Sequence, residues 1–131
     1  MSGIKDVVKA ARLILTEDGN VTDLVPESKI SFGNSPQKAV KPRIVIEVSG
    51  TTYSPTFYND REAKTYTIDY AIYSNSVGQC ATIMETVQAA IASYPQPSVQ
   101  VPWTIRLVDE TFQAEVDGVL VGVVSATFQT S

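Results

Sequence analysis

The chain of 131 residues contains no histidine. That absence removes the commonest general base, the commonest metal ligand and every Ser-His or Cys-His nucleophile pair, and with them most hydrolase designs. A single cysteine, Cys80, rules out an internal disulfide and fits a reducing compartment. No apolar run approaches the roughly 18 residues that span a bilayer. The start, Met1-Ser2-Gly3-Ile4-Lys5, lacks the basic-then-apolar pattern of a secretory signal. These absences together predict a protein made and used in a cytoplasm, without a membrane partner. A Gly-rich phosphate loop, a metal-spaced carboxylate motif and a nucleotide fingerprint are all missing, so the expectation is no enzyme, no cofactor and no metal. Repeats, low-complexity stretches and linkers are missing too, and residues 1–131 read as one domain, large enough to bury roughly two-thirds of its unfolded surface.

Positive charge is scarce in the second half. Residues 1–64 hold nine Lys or Arg against eight Asp or Glu, whereas from 65 onward only Arg106 opposes Asp69, Glu85, Asp109, Glu110, Glu115 and Asp117. The only local cation cluster is Lys38, Lys41 and Arg43, too few for a nucleic-acid surface, so direct nucleic-acid binding is not expected. The asymmetry has two readings: a solvated surface, or a basic segment of one copy facing the acidic segment of the next, which would make assembly salt-sensitive.

What is present is clear periodicity. Ile4, Val7, Val8, Ala11, Leu13, Ile14 and Leu15 form an amphipathic stripe opposite Lys5, Asp6, Lys9 and Arg12, which predicts a first helix ending near Thr16, with Ser2 placed to cap it. Glu17-Asp18-Gly19-Asn20 breaks it, and Val21, Leu24 and Val25 allow at most one helical turn before Pro26. A short strand is expected around Ser28 to Phe32, then a turn at Gly33-Asn34-Ser35-Pro36, then a strand in which Ile44, Ile46 and Val48 alternate with Arg43 and Glu47. In the strand Lys64 to Tyr73, Tyr66, Ile68, Tyr70 and Ile72 share one face. Ser74-Asn75-Ser76 offers an N-cap for a second helix, Val77 to Tyr94, whose stripe is Val77, Cys80, Met84, Val87 and Ile91. Three further strands are expected: Val101 to Leu107, Phe112 to Val116 after a turn at Asp109-Glu110, and Val119 to Phe128 after the hairpin signal Asp117-Gly118. The last is apolar on both faces, as a central strand would be, or an edge covered by another chain.

Between the two long strands, Thr51 to Ala63 reads as a long loop carrying Tyr53, Phe57 and Tyr58 beside Asp60, Arg61, Glu62 and Lys64. Large rings on a turn-rich segment fit a surface that another chain covers, although the rings could equally fold back on their own sheet. Candidate interface residues are therefore Tyr53, Phe57, Tyr58, Arg61, Glu62, Lys38, Lys41 and Arg43. Catalytic candidates are poor. Cys80 sits on the apolar stripe as a structural thiol, and Asp69 with Glu85 forms a carboxylate pair only in principle.

The element order predicts an α+β domain, a mostly antiparallel sheet of about five to six strands with two helices packed on it. That order, with Asp18-Gly19-Asn20-Val21-Thr22-Asp23-Leu24-Val25, Ser28-Lys29-Ile30, Ser35-Pro36-Gln37, Lys41-Pro42-Arg43-Ile44-Val45-Ile46 and Tyr66-Thr67-Ile68-Asp69-Tyr70-Ala71-Ile72-Tyr73-Ser74, resembles the tail terminator, or tail completion, proteins of long-tailed bacteriophages. The resemblance implies a structural virion protein at the head-proximal end of the tail, assembled in the host cytoplasm. It further implies a hexameric ring that ends tube growth, with the tail tube protein and the head-tail connector as partners. Two other readings stay open: a head-to-tail connector (neck) protein, and a small cytoplasmic enzyme or ligand-binding domain with a pocket between sheet and helices.

Overall fold

The computed structural model describes residues 4–33, 42–55, 62–94, 103–116 and 119–129, with backbone only for 4, 52–55, 62–63, 112–116 and 119–120. Helix α1 (Ile4–Thr16) keeps the stripe that the sequence predicts: Val7, Ala11, Ile14 and Leu15 are fully buried. Each large aliphatic of this kind removed from water contributes about 1.5–3 kcal/mol before the entropy of ordering is charged against it. The break after α1 is shorter than expected. Asp18 accepts hydrogen bonds from the amides of Asn20 and Val21 and so starts α2 (Gly19–Leu24), six residues rather than a single turn. One 3₁₀ turn (Glu27–Lys29) leads into β1 (Ile30–Phe32). Arg12 fixes this passage from α1: its guanidinium donates to the carbonyls of Ile30 at 3.0 Å and Glu27 at 3.1 Å. Gly33 then turns the chain at φ 66°, a left-handed conformation that favours glycine, and its N–H donates to the Ile46 carbonyl.

Five strands form one sheet in the order β1-β2-β3-β5-β4, where β2 is Arg43–Pro55, β3 Glu62–Ser74, β4 Thr104–Val116 and β5 Val119–Gln129. Every pairing is antiparallel except β1 with β2. Among the described residues there are three α-helices rather than two, the third being α3 (Val77–Ser93), capped by Ser76 accepting from the Gln79 amide.

Two expectations need correction, for one reason. Thr51 to Ala63 is not a loop throughout: β2 and β3 stay paired from Thr51↔Tyr66 to Pro55↔Glu62 after an irregularity between Val48 and Gly50. Likewise Asp109-Glu110 is no turn. Thr104 to Val116 is one strand with irregularities between Leu107 and Asp109 and between Gln113 and Val116. In both places a bulge shifts the alternation by a residue and polar side chains follow, so the pattern fades while the backbone ladder, which needs no apolar side chain, continues. Val77 also departs from its predicted place on the buried stripe. It is 59% exposed, because the first turn of α3 extends beyond the helix–sheet contact.

The core lies between one face of the sheet and the three helices. Ile44, Ile46, Tyr66, Ile68, Tyr70, Ile72, Val124, Ala126 and Phe128 meet the buried stripes of α1 and α3 there. The Tyr70 hydroxyl, wholly buried, donates to the Ala11 carbonyl of α1 at 3.0 Å. Tyr70→Phe is therefore expected to cost about 1 kcal/mol, seen as a drop of roughly 3–4 °C in the thermal midpoint. Burial also raises the Tyr70 phenol well above its ordinary value of 10. The folded state keeps a proton that the unfolded chain releases, so stability is fully present below about pH 10 and falls as pH rises beyond it. Urea midpoints at about pH 8 and pH 11 should show that fall. It should be smaller in Tyr70→Phe, the remainder coming partly from Tyr94, whose phenol is raised by desolvation and by the Glu17 carboxylate it hydrogen-bonds.

Candidate assembly surface

No described helix covers the second face of the sheet. Register places Glu47, Asp69, Ser125 and Asp109 in one row across four strands on that face, and Ser125 Oγ donates to Asp69 Oδ1 at 2.6 Å. Asp69 and Glu85 do not form a catalytic pair: Asp69 is on this face, while Glu85 is exposed on α3, which packs against the other. Cys80 is fully buried between α3 and β5, as its place on the stripe predicts. Among the described residues no group of three or more acidic or cysteine side chains could hold a metal ion. One open cleft of about 580 Å³ lies between α2 and α3, lined by Asp18, Asp23, Leu24, Glu85, Ala89 and Ser93 among others. Asp18 is already committed to capping α2, and the lining hydroxyls of Thr86 and Ser93 donate to carbonyls of their own helix, Thr82 and Ala90.

The sheet does present an arm. β5 pairs with β3 only as far as Thr65↔Gln129, whereas β2 and β3 continue together through Tyr53↔Lys64, Ser54↔Ala63 and Pro55↔Glu62. The end of this hairpin thus stands beyond the described length of the central strand. At its base, Tyr66 meets Trp103 edge to face, with ring centroids 5.9 Å apart and planes at 86°.

The candidate interface residues separate along these elements. Tyr53 and Glu62 lie on the projecting end of the hairpin. Phe57, Tyr58 and Arg61 belong to its connection, and Lys38 and Lys41 to the segment before β2, and all five lie outside the described residues. Arg43 begins β2, ten residues and roughly 30 Å from Tyr53 at about 3.3 Å per residue. It is 95% buried, its guanidinium 4.4 Å from the centre of the Tyr73 ring. In the protomer that side chain is thus not the exposed steering cation that its place beside Lys38 and Lys41 suggested; a ring on the neighbouring strand covers it. What periodicity did not reveal is a set of exposed apolar side chains on the two edge strands: Phe32 on β1, and Leu107 and Val108 on β4. The weak signal was Val108, which carries the apolar run one residue past the alternation of Ile105 and Leu107.

No curated protein sequence matches the chain. Among solved structures, the gp17 protein of bacteriophage SPP1 superposes with a TM-score of 0.62 at 17% identity, covering 97% of this chain and 90% of that one. A chain in the virion of a native gene transfer agent particle gives 0.57 at 11% identity, with 92% of each chain covered. At such identities the likeness is one of fold. The sequence model of the family described as tail completion protein gp17 matches residues 9–124, most of the chain. Its elements from α1 to β5, and the sequence along them, are those of a phage tail structural protein, and the chain belongs to the tail completion protein gp17 family.

Proposed function

We propose that the chain assembles with copies of itself into a ring, six by the family resemblance, on the end of the finished tail tube. The ring stops further tube growth and offers its opposite face to the head connector. Its place is the head-proximal end of the tail, and it acts by surface complementarity with no chemistry of its own. Family membership over residues 9–124 carries this reading. Two features of the fold support it: an arm that projects beyond the central strand, and a sheet open on both edges among the described residues. The arm is the part suited to reach a tube subunit or a neighbouring copy, with Tyr53 and Glu62 on its strands and Phe57, Tyr58 and Arg61 in the sequence that joins them.

The test is tube growth in the presence of the chain. Purified tube subunits should stop elongating, and micrographs should show a ring at one tube end. Growth that continues unchanged would remove the terminator role and favour a neck protein, which sits one layer higher. Replacing residues 56–61 by a two-residue turn should abolish this block while leaving the thermal midpoint within a few degrees, since paired strands tolerate a short turn. Full blocking by that variant would remove the arm from the interface.

A further inference from the structure

We draw no further inference here: the strongest candidate, the outer edge of β2 from Glu47 to Thr51 at the root of the arm, where β1 has ended and no described strand pairs with it, carries nothing because no feature of the structure shows what covers it.

Discussion

Trp103→Ala should lower the midpoint of thermal unfolding by roughly 10–18 °C, the equivalent of about 3–5 kcal/mol in a chain of this size. Trp103 is 1% exposed, and it is among the largest side chains that the core encloses completely. Truncation removes its apolar surface from burial and leaves a cavity that the surrounding strands cannot fill, since β3 and β5 are held in register on both sides of the gap. A ring contact is lost as well. Tyr66, the edge-to-face partner of Trp103, pairs with Thr51 on one side and Phe128 on the other, just where the β2–β3 hairpin leaves the rest of the sheet. Loss of stability should therefore be accompanied by faster hydrogen exchange at Tyr66 and Phe128, ahead of the strand centres around Tyr70 and Val124. Trp103→Phe should recover more than half of the loss. Equal midpoints for Trp103→Ala and the unaltered chain would mean that the arm's base is not supported from below. Because native stability totals only about 5–15 kcal/mol, the alanine variant should also fail to cap tubes near its new midpoint while retaining activity well below it.

Gly122→Val should be the second severe change, costing about 3 kcal/mol or more. A Cβ at Gly122 would lie 2.8 Å from Cys80 Sγ and still closer to Met84 Sδ. Neither distance is tolerable. The Met84 thioether can swing aside, but the Cys80 sulfur sits on a short, fully buried side chain, so α3 itself must lift from β5. Gly122→Ala should cost less, about 1–3 kcal/mol, and the cost should shrink when Cys80→Ala is introduced with it, giving a favourable coupling in a double-mutant cycle. Lifting α3 also exposes a thiol. Cys80, inert in the unaltered chain, should react measurably faster with a thiol reagent in Gly122→Val, and unchanged labelling with unchanged stability would show that the helix does not rest on this glycine.

Much of this architecture was legible from residue order because local chemistry decided it. The stripe of α1, the Ser76 cap, the alternation of Tyr66, Ile68, Tyr70 and Ile72, and the two-sided apolar run of β5 each express a period or a cap that one segment contains by itself. β5 accordingly lies inside the sheet, between β3 and β4. The buried place of Cys80 followed from the same periodicity. Where a bulge broke the period, at Val48 to Gly50 and at Leu107 to Asp109, the pattern was misread as loop or turn, although the ladder of backbone bonds ran on.

For the candidate surface the balance reverses. Aromatic and charged residues in the sequence pointed to the β2–β3 connection and to a cation cluster ending at Arg43. Folding buries Arg43 by laying Tyr73 against it, a pairing fixed by the register of β2 on β3. Only strand order could set Phe32 and Val108 on opposite edges, or bring Gly122 under Cys80, because these neighbours are far apart in the chain. The sequence alone determined which segments become helix and strand and which of their faces turn inward, since those depend on side chains a few residues apart. Tertiary structure alone decided which described strands lie at the margins of the sheet and which side chains remain exposed on them, since that depends on long-range pairing, which no local period encodes.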